Sequence, residues 1–251
     1  LAEAAGAVVH PMTTVLGVRP LPGGGYAVDT RATGGVLRRG RRRFTAGQVV
    51  LAAGALGTQR LLHRMRDSGV LPGVSARLGE LSRTNSESIL GARTRRRDLD
   101  VSHGVAITSS IHPDPVTHVE PVRYGAGSNL LGLLATVLVD DTGGRSRWAA
   151  ALRELVRSRR DLRLLVSPRR WSQQTVVLLG MQPLDNSVTV HTRRGRFGRR
   201  RLTTRPGVGE PNPAWVPAAH DVARRVAEKI DGVPLGSITE LAGRPITGHF
   251  I

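Results

Sequence analysis

Gln48-Val49-Val50-Leu51-Ala52-Ala53-Gly54-Ala55-Leu56-Gly57-Thr58-Gln59-Arg60-Leu61-Leu62 is the most informative stretch of this chain. Val49, Val50 and Leu51 form the short apolar run of a strand covered on both faces, and Ala52, Ala53 and Gly54 then shed side-chain volume abruptly. The pattern predicts a buried strand, a tight turn and a helix over 57–68. Gly54 and Gly57 permit a sharp bend and a close approach to the backbone, Thr58 is placed to cap the helix, and the helix start offers unpaired N–H groups to an anion. Two readings follow. One is an ordinary strand-to-helix connection of any α/β domain, which composition alone slightly favours; the other is a loop pressed against the ribose or phosphate of a dinucleotide.

Toward the N-terminus, 7–10 reads as a short strand. Residues 13–19 and 26–30 alternate on either side of Pro22-Gly23-Gly24-Gly25, and the chain returns at Phe44 after a basic excursion. This predicts a β-meander inserted just before the 48–51 strand. Beyond the helix, Gly69, Pro72 and Gly73 end regular structure, and a domain boundary is placed near residue 80. Strands are expected at 101–109, 116–122, 171–181, 187–191 and 200–204, with 130–139 open between strand and helix. Helices are expected at 147–165 and, opened by Asn212-Pro213, over 212–230.

Bulk composition narrows the classes. The chain has 251 residues, enough for one or two cores, and its longest apolar run, 130–139, is about half of a membrane-spanning helix. With no cysteine, disulfides, thiolate metal sites and cysteine nucleophiles are excluded. The net charge of +18 invites a nucleic-acid reading, yet Lys229 is the only lysine and the arginines fall in separate runs at 38–43, 93–97, 157–170 and 193–205. Aromatic residues make up 3%, too few for a base-stacking platform, so no specific nucleic acid is expected. An electrostatic contribution to peripheral membrane contact stays open. No phosphate loop of the Gly-x-x-x-x-Gly-Lys-Ser/Thr type and no Gly-x-Ser-x-Gly elbow occurs.

The 49–62 stretch resembles the second FAD-contacting strand and loop of the glucose-methanol-choline oxidoreductases, written Val-x-Leu-Ala-Ala-Gly-Ala-x-x-Thr-Pro-x-Leu-Leu, with Gln59 where proline is usual. Segments 78–87, 112–129 and 246–250 are similar to the same family in the same order, on its sterol-oxidising branch. The resemblance implies an α/β fold, part of an FAD-binding Rossmann-like domain with its β-meander over 1–80, joined to an α+β substrate domain with an antiparallel sheet over 81–245 and a return to the FAD domain at 246–251. It further implies FAD-dependent oxidation of a secondary alcohol, the 3β-hydroxyl of a sterol being the expected one, with electrons passed to oxygen or another acceptor. The chain reads as an internal piece lacking the upstream phosphate loop, and alone it is not expected to hold FAD or turn over.

Glu120 sits mid-strand in Thr117-His118-Val119-Glu120-Pro121-Val122-Arg123, where alternation places it on one face with His118 and Val122. Burial of that face would raise its pKa and suit it to proton transfer; pairing with Arg123 at a sheet surface is the plainer alternative. By resemblance, Glu120 is the glutamate that faces the steroid ring and shuttles a proton, the step needed where the product's double bond is also isomerised. His249, in Ile246-Thr247-Gly248-His249-Phe250, is by the same resemblance the histidine that accepts or positions the substrate's hydroxyl proton. Ala53, Gly54, Ala55 and Gly57 are the expected cofactor contacts. Asn85 either hydrogen-bonds the flavin edge or forms an Asx turn at the domain crossing. His112 and His118 flank Asp114 with a spacing that fits no common metal-ligand pattern, so no metal is expected. Two rivals stand beside this reading: a related flavoenzyme acting on another alcohol, and a basic nucleic-acid-binding protein.

Overall fold

The computed structural model describes residues 1–34, 40–195, 198 and 200–242. Cα packing divides the chain into two units, residues 1–82 with 188–205, and residues 83–187 with those from 206 onward. Helices and antiparallel sheets make up both.

In the first unit the alternating stretches after Met12 become β1 (Thr13–Pro20), β2 (Tyr26–Ala32) and β3 (Arg41–Ala46), an antiparallel meander in that order. Helix α1 (Gly54–Asp67) follows, and Leu61 and Met65 on its inner face pack against Val18. The Val18 N–H donates to Met65 Sδ at 3.0 Å, so the sulfur satisfies a backbone donor inside the apolar contact. The strand expected at 49–51 does not form. Val49 and Leu51 are half-buried against the same cluster while Val50 is 89% exposed. No strand of the described residues lies beside this segment, and an extended chain becomes a strand only where its N–H and C=O groups find a ladder. The strand expected at 7–10 is likewise an exposed, irregular segment.

The second unit contains β4 (Ser88–Thr94), β5 (Ile111–Asp114), β6 (Thr117–Val122), β7 (Ala135–Val137) and β8 (Thr175–Met181). The next two strands, β9 (Asn186–Arg194) and β10 (Arg200–Gly209), pair as a separate ribbon whose residues are divided between the two units. With β11 (Gly232–Ser237), the second unit's sheet runs β5-β6-β8-β4-β11-β7. Its helices are α2 (Arg147–Arg157), α3 (Leu162–Val166), the single turn α4 (Trp171–Gln174), α5 (Pro217–Lys229) and the short α6 (Ile238–Leu241). Expectations change here: the 147–165 helix breaks into α2, a 3-10 turn (Arg159–Asp161) and α3. Residues 101–109 form no strand beyond a bridge from Ile107 to Val122; 130–139 divides into a 3-10 turn (Asn129–Leu134) and β7; and the 171–181 strand begins as α4.

Helix α5 covers one face of this sheet, its Ala219, Val222 and Ala223 packing on Leu90, Val119 and Leu178. Val119 and Leu178 are wholly buried, each contributing about 1.5–3 kcal/mol relative to an exposed side chain. On the opposite face, α2, α3 and α6 cover β7 and β11 through Ala151, Leu165 and Leu241. No helix of the described residues is long and apolar enough to cross a membrane.

Candidate functional site

Strand alternation sorts the sheet's residues cleanly. Leu90 and Leu178 turn toward α5, whereas Ile89 and Gly91 of β4 and Thr175, Val177 and Leu179 of β8 turn the other way. On that second face, Trp171 of α4 and Leu131 and Leu134 of the 3-10 turn stand over Ile89, Gly91 and Val177, enclosing an apolar cavity of about 190 Å³. Its polar elements are few. Ser237 at the end of β11 and Thr239 in α6 lie with their hydroxyls 2.9 Å apart, and Tyr124 and Thr175 are the other polar residues of the lining.

Glu120 stands on the cavity face of β6. It is directly opposite Leu179 in the ladder, and Leu179 is in turn opposite Ile89, so one row crosses three strands from the carboxylate to the cavity wall. Its side chain is 29% exposed and its Oε1 lies 4.0 Å from His118 Nε2. Glu120 is therefore half-buried beside the cavity and does not itself line it. The expected Arg123 partner is engaged elsewhere, donating to the Val105 carbonyl at 3.4 Å.

A buried polar chain braces the cavity's α6 end. His220 of α5 is fully buried, with Nδ1 3.0 Å from Asp140 Oδ1 and Nε2 3.7 Å from Glu240 Oε2. Glu240 accepts the Ser88 hydroxyl, and its main-chain carbonyl accepts Arg147 Nη1 at 3.1 Å. Burial pushes the Asp140 carboxyl up, but hydrogen bonds from Arg224 and His220 and the Arg224 charge outweigh this and hold it below the usual range. The network pins α6, and with it Ser237 and Thr239. Sequence reading missed it because His220 and Asp140 are far apart in the chain and neither lies in a motif.

The small-residue bend is in the first unit. Gly54 has φ +68, a left-handed conformation that favours glycine, and it opens α1 three residues earlier than expected. Thr58 consequently lies inside the helix and caps nothing; Ala53 is the N-cap residue, without a side-chain cap. Ala52, Ala53, Gly54 and Gly57 are exposed and Ala55 is half-buried. A Cβ built on Gly54 would meet nothing within 4 Å, and one on Gly57 would meet only Ala53 Cβ, at 3.0 Å. The bend has open space around it, and the start of a 14-residue helix without a side-chain cap leaves N–H donors that an anion could accept. These residues fit the phosphate or ribose of a dinucleotide.

In the second unit, Asn85 donates from Nδ2 to Glu87 Oε2 at 2.9 Å, and its carbonyl accepts the Gln182 N–H at 3.2 Å. Gln182 Nε2 donates to Thr117 Oγ1 at 2.9 Å, tying the Asn85 turn to the strand that carries Glu120. Positive φ at Ser86 marks a turn. His249 lies outside the described residues. His112 and His118 stack with ring centroids 5.9 Å apart, and no cluster of three metal-ligating side chains occurs among the described residues.

No protein-family model matches the chain. It is 53% identical over 257 residues to proteins named cholesterol oxidase in two Mycobacterium tuberculosis strains, an alignment covering 100% of this chain and 44% of theirs. A protein of the same name from Acinetobacter baumannii is 36% identical over 262 residues, covering 99% of this chain and 46% of its own. The chain thus spans less than half the length of the curated relatives it matches. The likeness drawn from its four sequence segments is to these same proteins.

Proposed function

We propose that the intact protein is a flavin-dependent oxidoreductase that oxidises the 3β-hydroxyl of a sterol. One observation carries this reading: an apolar cavity on the sheet face that also bears Glu120, in a chain whose relatives are named cholesterol oxidase. Ligand pockets usually run to roughly 300–1,000 Å³, so this cavity takes part of a sterol, and its apolar walls suit a fused hydrocarbon nucleus better than a sugar or choline.

In this reading, residues 1–80 and 246–251 belong to a Rossmann-like FAD-binding domain, and 81–245 form the substrate domain. Ala53, Gly54, Ala55 and Gly57 hold the dinucleotide, with α1 directing its N–H groups at a phosphate. Asn85 anchors the crossing between the domains and is offered to the flavin edge. Held there, FAD would supply the hydride acceptor for oxidation at the carbinol carbon. His249 takes the hydroxyl proton. Glu120 accepts a proton from the carbon between the new carbonyl and the ring double bond and returns it at the far end of that bond, isomerising the product.

The test is substrate preference in the full protein carrying its flavin. Turnover on sterols well above that on glucose and choline supports the reading, and the reverse order overturns it. The basic nucleic-acid alternative gains nothing from the arginines that are paired, such as Arg95 with Asp161 and Asp231 and Arg224 with Asp140 and Asp221.

A further inference from the structure

Trp171, the indole of the cavity wall, sits in a turn that the sheet itself grips. Arg93 of β4 is 2% exposed, and strand alternation puts it on the cavity face with Ile89 and Gly91, opposite Thr175. Its Nη1 donates to the Leu164 carbonyl and, at 2.6 Å, to that of Ser167; its Nη2 donates to the Arg169 carbonyl at 2.7 Å and to Gln174 Oε1 at 3.2 Å. Nε has no partner among the described residues. Three of the gripped residues precede Trp171 and one follows it. An apolar side chain would fill the same space without desolvating a charge, so what the arginine adds is this set of directed bonds to one turn. Within that turn Arg170 has φ +53, a left-handed conformation that a residue with a side chain keeps only where its surroundings impose it. The indole is held from the other side as well. Ser172 donates its N–H and its hydroxyl to Asn129 Oδ1 at 3.0 and 3.1 Å, and Gly132 makes room for the ring, since a Cβ there would stand 2.7 Å from Trp171 Cδ1.

Position along β8 says which part of a ligand this wall meets. Trp171 clusters with Val177, and its turn joins the strand at Thr175; both residues share a face with Leu179, which is directly opposite Glu120. Two to four residues at about 3.3 Å each set the wall roughly 7–13 Å from the Glu120 row. A sterol whose reacting rings lie at that row therefore brings its far ring and aliphatic tail to Trp171. We propose that Trp171 determines which sterol tails the cavity accepts and that Arg93 is the positioning residue that holds it in place. This rests on the sterol-oxidoreductase reading above.

The experiment uses the full flavin-loaded protein and compares kcat/KM for cholesterol with that for the same sterol carrying an extra ethyl group on its tail. A fixed apolar wall discriminates between such homologues by about 10-fold or more, here in favour of cholesterol. In Trp171→Ala the ratio falls to about 1. Arg93→Met lowers it by at least about 3-fold in the otherwise unmodified protein and changes it no further in the Trp171→Ala background, the coupling expected of a residue that acts through another. A general loss of stability would lower activity on both sterols and leave the ratio alone. Should the methionine variant not fold, Arg93→Lys, which keeps the charge and loses the planar fork, is read in the same cycle. No preference in the unmodified protein, a ratio unmoved by the Arg93 substitution, or an equal change in both backgrounds overturns the proposal while leaving sterol oxidation intact. If neither sterol is oxidised, the sterol reading fails and this inference with it.

Discussion

Gly180 of β8 lies directly against Ala219 of α5: a Cβ built on the glycine would stand 2.5 Å from Ala219 Cβ. That contact sets how closely α5 sits on the sheet whose other face carries the cavity. Two methyl groups on rigid elements cannot share the gap, so Gly180→Ala is expected to destabilise the protein by about 1–3 kcal/mol in urea unfolding. Ala219→Gly reopens the space. The double variant should lose less stability than the sum of the single ones, and simple additivity would show that this contact does not govern the packing.

Gly54 predicts an effect on cofactor content. Its left-handed backbone and open surroundings tolerate no β-branched side chain without strain of about 1–3 kcal/mol, and valine would also fill the bend. Gly54→Val in the full protein should sharply lower the flavin-to-protein absorbance ratio. Leu56→Ala, a change at an exposed position on the same helix, should not.

Much of the second unit follows from patterns that sequence reading detects, and two of its interior strands show where that reading stops. Helix α5 ends within a residue of its expected end, although Pro217 takes the first helical position in place of Pro213. Neither β4 nor β11 is announced by its sequence. In Ser88-Ile89-Leu90-Gly91-Ala92-Arg93-Thr94 the apolar run of a central strand is broken by Gly91 and by a buried arginine, whose Nη1 and Nη2 donate to the Leu164, Ser167 and Arg169 carbonyls and to Gln174. In β11, Pro234 argues against an interior strand, yet β7 pairs only from Leu235 onward, so no ladder on that side asks for the missing N–H. The cavity was illegible for the same reason: its walls are drawn from β4, β8, α4 and a 3-10 turn, brought together only by sheet order. Strand alternation alone, by contrast, puts Glu120 on one face with His118 and Val122, as β6 has it.

Asp67 at the end of α1 carries a pH prediction for the first unit. Burial raises its carboxyl, but hydrogen bonds from Arg200 and Thr192 and the charges of Arg200 and Arg66 outweigh that and hold its pKa below the ordinary value of about 3.9. A carboxyl depressed in the folded state contributes stability that is fully present above its unfolded pKa and is lost as pH falls through the folded one. Protection of α1 amides should therefore weaken below about pH 4. Asp67→Asn should lose about 1–2 kcal/mol at neutral pH and show a flatter acid limb. An unchanged acid limb in this variant would remove Asp67 from the account.

Glu120 is assigned the proton shuttle, and glutamine at this position keeps the shape while being unable to accept a proton. Glu120→Gln should slow isomerisation of the ketosteroid product about 10²–10⁴-fold more than it slows sterol oxidation, so the unconjugated ketone accumulates and is read by its missing conjugated-enone absorbance. Equal losses in both steps would assign Glu120 a different role.

The most direct measurement is anaerobic addition of cholesterol to the full protein while its visible spectrum is recorded. The account predicts a flavin spectrum that bleaches with one equivalent of sterol and does not bleach with glucose or choline. A protein with no flavin absorbance, or one whose flavin is reduced by those polar alcohols and not by the sterol, would contradict it.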